Sequence, residues 1–126
     1  MRILLALVLS STLALAAGEN AISHSDLVAA IKADNVILID VNGTETYTKV
    51  HIPGALDFAA VKGSLSEHLP EDKDSLIVAY CANPKCGAWK RGAKAAKALG
   101  YTNVKHYKPG IVGWIGSPEG KATLQQ

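Results

Sequence analysis

Ser75-Leu76-Ile77-Val78-Ala79-Tyr80-Cys81 is followed by Ala82-Asn83-Pro84-Lys85-Cys86-Gly87 and then by residues 88–99, AWKRGAKAAKAL. A short apolar run between polar residues predicts a buried strand. Residues 88–99 are rich in helix formers, and Gly100 stands where a C-cap glycine belongs. The order is strand, tight loop, helix, with Cys81 at the end of the strand. Such a unit aims backbone N–H groups and the positive end of the helix dipole into the loop. A thiol held there is partly ionised, and the thiolate is the nucleophilic form of cysteine. The stretch predicts chemistry on an anion or a soft electrophile.

The 126 residues fit one domain whose core needs no staples. Met1-Arg2 is a short basic start, residues 3–9 are apolar, and residues 10–17 end in small side chains before Gly18-Glu19. This three-part layout predicts a secretory signal peptide over residues 1–17 and a folded domain over residues 18–126. An uncleaved anchor is the alternative. The apolar run is short for a span of about 20 residues, and no basic stop-transfer segment follows, which favours cleavage. The expected location is therefore periplasmic or secreted, and without a cysteine at the cleavage point no lipid is attached there. Thirteen Lys and Arg oppose 11 Asp and Glu, a formal +2 that falls to +1 when Arg2 leaves with the leader. With no basic block and no basic stripe interleaved with aromatics, nucleic acid and an anionic membrane are not expected as partners.

Cys81 and Cys86 are the only cysteines. In an oxidising compartment such a pair reads readily as a disulfide. The loop it would close is very small, so its entropic stabilisation would be modest. Reactivity explains the pair better than stability does.

Elsewhere, Ser23 is positioned to cap a helix running to Lys32, with Leu27, Ala30 and Ile31 on one face. Residues 36–41 form a near-continuous apolar run, as expected of a strand covered on both faces in a parallel sheet. Asp40 interrupts that run and must be paired or bonded to backbone N–H groups; holding the following loop is favoured over catalysis. Thr44 can cap a short helix from Glu45 to about Val50, and Pro53-Gly54 forces a turn. Residues 56–58 read as a short strand, residues 64–70 as a brief helix ended by Pro70, and residues 103–107 as a last strand. Residues 111–115 read as a short helix or turn. Residues 116–120 are expected to break structure, and both the mature start at residues 19–21 and the C-terminal tail to be loose. Alternating strands and helices mean an α/β fold with a mainly parallel sheet.

Three stretches together resemble the rhodanese family: Leu38-Ile39-Asp40-Val41, Tyr47 and His51-Ile52-Pro53-Gly54-Ala55; Ile77-Val78-Ala79-Tyr80-Cys81 with its helix; and Leu99-Gly100-Tyr101-Thr102-Asn103-Val104 with Gly110-Ile111 and Trp114. The resemblance spans almost all of residues 18–126. It implies a five-stranded, mainly parallel sheet flanked by helices on both faces. It also implies a sulfurtransferase in which Cys81 carries sulfane sulfur as a covalent persulfide, with no other cofactor. The donor would be thiosulfate, a polysulfide or a persulfide, and the acceptor a thiol, a thiol protein among them, or another sulfur acceptor. By the same resemblance the N–H groups of Ala82, Asn83, Lys85, Cys86 and Gly87 would cradle the sulfur; Pro84 has none to give. An attack on an S–S bond and the persulfide it forms both need that cradle, and neither needs a histidine.

One departure stands out. The fifth residue after the nucleophile is often arginine in the family and here is Cys86, with Pro84 where glycine is common. The usual cation for an anionic donor is missing; Lys85 is its nearest substitute, followed by Lys90 and Arg91. Cys86 reads as a second reactive thiol that resolves a Cys81 persulfide or sulfenate, with a small filler beneath the loop as the alternative. Trp114 is expected in the core, whereas Trp89 suits the core and the pocket mouth equally. His24, His51, His68 and His106 show no metal-ligand spacing, and His51 reads as fixing a turn. Two rivals to the transferase reading remain: a thiol–disulfide redox protein using Cys81 and Cys86, and a binding module that holds a sulfur, selenium or metalloid species, or a protein, without turnover.

Overall fold

The computed structural model describes residues 20–124. The expected signal peptide, residues 1–17, lies outside the described residues. The apolar runs form strands β1 (Ile37–Asp40), β2 (Leu56–Asp57), β3 (Ile77–Tyr80) and β4 (Val104–His106). All pair in parallel, in the order β2-β1-β3-β4, with Asp40 beside Tyr80 and Ala79 beside His106. The helices are α1 (His24–Lys32), α2 (Thr44–Lys49), α3 (Phe58–Val61), α4 (Trp89–Ala98), α5 (Gly110–Gly116) and α6 (Pro118–Leu124), with a 3₁₀ segment, Lys62–His68, after α3.

Five strands were expected, and four are present among the described residues. Where a fifth would lie, Ala21 makes a single parallel bridge to His106, and the Ile22 N–H donates to the His106 carbonyl at 3.0 Å. The bridge cannot lengthen because Ser23 caps α1 at once, its hydroxyl accepting from the Asp26 N–H at 3.1 Å. Asn20 and Ala21, expected to be loose, are thus held at the sheet edge.

Successive strand residues face opposite sides. Leu38, Val78 and Tyr80 pack with Leu27 of α1 and with Ile111 and Trp114 of α5. Ile39, Ile77 and Ala79 pack with Ala93 and Ala96 of α4 and with Phe58 and Leu65. Helices on both faces explain why the strands read as unbroken apolar runs. Gly92 sets how closely α4 approaches: a Cβ there would stand 2.9 Å from Val41 Cγ2 and 3.1 Å from Ile39 Cγ2.

Three local expectations need correction. Thr44 does not cap α2; it is the first helical residue, and its hydroxyl donates to Asp57 Oδ2 at 2.6 Å. Phe58 leaves the strand and opens α3, because Asp57 Oδ1 accepts from the Ala59 N–H at 3.2 Å as an N-cap. Residues 118–124 form α6 instead of a broken tail: the Ser117 hydroxyl accepts from the Gly120 N–H at 3.1 Å, and Pro118 occupies the first turn, where its missing N–H is not needed.

Candidate active site

β3 runs through the middle of the sheet and delivers Cys81 to its C-terminal edge, where ligands gather in open parallel sheets. The next element in space is α5. The Ile111 N–H donates to the Cys81 carbonyl at 2.9 Å and the Val112 N–H to the Ala82 carbonyl at 3.0 Å. Gly110 makes this approach possible: its φ is 65°, and a Cβ would fall 2.6 Å from the Cys81 and Ala82 carbonyl oxygens.

Beneath Cys81 lies a closed polar network. The Tyr80 hydroxyl donates to Asp40 Oδ2 at 2.7 Å and accepts from the Ile52 N–H at 3.0 Å, while Asp40 Oδ1 accepts from the Asn42 N–H at 2.8 Å. Asp40 is fully buried, and burial raises its pKa against the hydrogen bonds of Tyr80 and Asn42 and the charge of His51. The Tyr80 pKa is raised by its burial and by Asp40. Asp40 therefore ties the loop after β1 to β3, the structural role favoured for it. His51 is likewise structural: Nδ1–H donates to the Tyr47 carbonyl at 2.7 Å and the two rings stack at 3.8 Å.

Cys81 and Cys86 are joined by a disulfide, with Cα atoms 6.3 Å apart. Asn83 shapes the loop between them, its Oδ1 accepting from the Lys85 N–H at 2.9 Å and its carbonyl from the Cys86 N–H at 3.0 Å. Two of the five amides expected to cradle sulfur are thus turned to Asn83. Those of Ala82, Asn83 and Gly87 have no backbone partner among the described residues. In this oxidised form Cys86 Sγ occupies the place on Cys81 that a transferred sulfur would take.

The two sulfurs differ in access. Cys81 is 2% exposed, whereas Cys86 is half-buried and lines an open groove of about 680 Å³ that Cys81 does not reach. Lys85, Lys90 and Lys108 stand around this groove, and Trp89 forms one wall, stacked on His106 with centroids 3.7 Å apart. Burial, then the charges of Lys108 and Lys90, lower the His106 pKa, so its ring is neutral at neutral pH. Trp114 is in the core at 4% exposure. Arg91 is not in the groove; it borders a separate small hollow with Val41, Phe58 and Lys62. Ala82 and Asn83 do not line the groove either. Sequence reading missed His106, Lys108 and the Asn20–Ala21 segment, which complete it. The signal for them was topological: β4 is the parallel neighbour of β3, so its C-terminal end must lie beside the loop that leaves β3. Among the described residues no group of three His, Cys, Asp or Glu side chains gathers as a metal site.

The rhodanese-like domain model matches residues 23–117. The chain belongs to the rhodanese-like domain family. The chain is 33% identical over 99 residues to the HTH-type transcriptional regulator Rv0324 of Mycobacterium tuberculosis, a match covering 76% of this chain. This chain spans 42% of that relative's length. The same fold is found in the human single-domain sulfurtransferase TSTD1, at 22% identity and a TM-score of 0.59, covering 79% of this chain and 98% of that one. It is found again in the Saccharomyces cerevisiae single-domain sulfurtransferase RDL2, at 19% identity and a TM-score of 0.61, covering 81% and 93%. The rhodanese-like match takes in both cysteines, the loop between them and the whole of α5.

Proposed function

We propose that this chain is an exported sulfurtransferase that moves sulfane sulfur through a persulfide on Cys81. The observation that carries the reading is the position of Cys81 at the end of the central strand of a rhodanese-like domain, one short loop before α4. In the reduced form the Cys81 thiolate attacks the sulfane sulfur of thiosulfate, a polysulfide or a persulfide. The new S–S bond forms as the old one breaks, and sulfite, the shortened polysulfide or the donor's thiolate leaves with the bonding pair. An acceptor thiolate then takes the outer sulfur and returns Cys81 as thiolate. The free N–H groups of Ala82, Asn83 and Gly87 and the N-terminus of α4 are the donors available to both anions. Lys85 and Lys90 supply the cation that the loop lacks at residue 86.

A second reading, a thiol–disulfide redox protein, is favoured by one observation, the Cys81–Cys86 disulfide itself. Intact mass of the reduced mature protein separates the two. Addition of thiosulfate or polysulfide is expected to add one sulfur, about 32 Da, which cyanide removes and Cys81→Ser prevents. A loss of two hydrogens with no sulfur gained under every donor would overturn the transferase reading in favour of the redox one.

A further inference from the structure

We propose that the lysine-lined groove receives a small anionic thiol, which opens the Cys81–Cys86 disulfide by attacking Cys86. This rests on the reading above in one respect, that the thiol set free, Cys81, is the one that carries sulfur.

Access decides the sulfur attacked. Thiol–disulfide exchange needs the incoming thiolate in line with the S–S bond, and only Cys86 reaches the groove. Burial of Cys81 closes the opposite approach. The leaving group fits as well, because Cys81 is freed at the start of a loop in which the Ala82, Asn83 and Gly87 N–H groups have no backbone partner among the described residues, and a thiol whose anion is stabilised leaves faster. Charge decides the ligand. Lys85, Lys90 and Lys108 border the groove, no carboxylate among the described residues does, and the one histidine in its wall is neutral. A volume of about 680 Å³ lies in the range of small-molecule sites and is several times what a small oxyanion fills. Trp89 and His106 give the alkyl part of such a thiol an apolar face.

The step balances. A thiolate RS⁻ bonds to Cys86 Sγ as the Cys81–Cys86 bond breaks, leaving R–S–S–Cys86 and the Cys81 thiolate. A second RS⁻ attacks the sulfur of the bound R group and releases RSSR and the Cys86 thiolate, which takes a proton from water. Two electrons have passed from two thiols to the protein disulfide.

The test uses the oxidised mature protein with 2-mercaptoethanesulfonate, 2-mercaptoethanol and cysteamine as anionic, neutral and cationic thiols. Rates are corrected for each thiol's thiolate fraction. The anionic thiol is expected to react about fivefold or more faster than the cationic one at low salt, with the gap closing at about 0.5 M salt. The gap should also close in Lys85→Gln/Lys90→Gln/Lys108→Gln, whose folding is checked by circular dichroism. Quenching early with iodoacetamide and mapping peptides should place the thiol adduct on Cys86 and the alkyl group on Cys81. An adduct on Cys81, equal rates for all three thiols, or reduction by protein dithiols alone would overturn the proposal. Sulfur loading of separately reduced protein reads the transferase function by itself, so the two failures are distinguishable.

Discussion

Tyr80 is the residue on which the site's geometry turns, because its hydroxyl is bonded on both sides and shut away from solvent. It donates to Asp40 and accepts from Ile52 while being fully buried. Tyr80→Phe keeps the ring but leaves the Ile52 N–H unpaired and strips one donor from a buried carboxylate. A cost of about 1–3 kcal/mol is expected, read as a lower midpoint in urea unfolding at unchanged slope. An unchanged midpoint would mean that the network does not secure the end of β3. The sequence exposed half of this arrangement. Asp40 inside an apolar run signals a buried carboxylate with partners, yet nothing local names Tyr80, which is 40 positions away and meets Asp40 only through strand register. Cys81 was legible for the opposite reason, since strand, loop and helix that define its surroundings are contiguous.

At the scale of elements, α5 secures the cysteine loop through backbone alone. Gly110→Ala would place a methyl group against the Cys81 and Ala82 carbonyls at a positive φ. The helix must then back away and the Ile111 and Val112 hydrogen bonds lengthen. We expect a loss of about 2–4 kcal/mol, or roughly 10 °C in Tm, together with slower sulfur loading on Cys81. Gly116→Ala is the control: it lies in the same helix with nothing within 4 Å of the added Cβ, and it should be neutral or slightly stabilising. Comparable losses in both variants would show that helix propensity, not the approach to the loop, sets the effect. The main strands and α1 and α4 were readable because their signals are long runs or caps followed by helix formers. α6 was hidden by Gly116-Ser117-Pro118-Glu119-Gly120, which reads as a breaker until Ser-Pro-Glu is seen as an N-cap, a first-turn proline and an acid near the positive helix end. The groove was hidden more deeply. Lys85 and Lys90 lie near the cysteines in sequence, but His106, Lys108 and Ala21 join them only through the β3–β4 pairing and the edge bridge.

Across the whole molecule, two contacts tie distant parts of the chain and make stability depend on pH in separable windows. His24 of α1 joins Glu119 of α6 at 2.8 Å through Nε2 and meets the Tyr107 hydroxyl at 2.8 Å through Nδ1. The hydrogen bond from His24 holds the Glu119 pKa below its ordinary 4.5. A carboxylate depressed in the folded state contributes stability that is complete above 4.5 and lost as pH falls through the folded value. Burial and the charges of Lys108 and Lys90 depress the His106 pKa from 6.5. For a base so shifted, the unfolded chain binds the proton first, so stability is complete above 6.5 and declines as pH falls below it, levelling off under the folded value. Asp40 runs the other way: its raised pKa removes stability as pH climbs from 3.8 towards the folded value, and so masks part of the Glu119 effect in the wild type. Differences between variants remove that mask. Urea unfolding over a pH series should show a gap between wild type and Glu119→Gln that narrows as pH falls below about 4.5, and one between wild type and His106→Phe that changes as pH falls below about 6.5. A Glu119→Gln gap that stayed constant through the acid range would separate α6 from the acid stability of the fold. A flat His106→Phe difference would mean that the stacked pair beside Cys86 does not exclude the proton, and that the groove carries a fourth positive charge below pH 6.5.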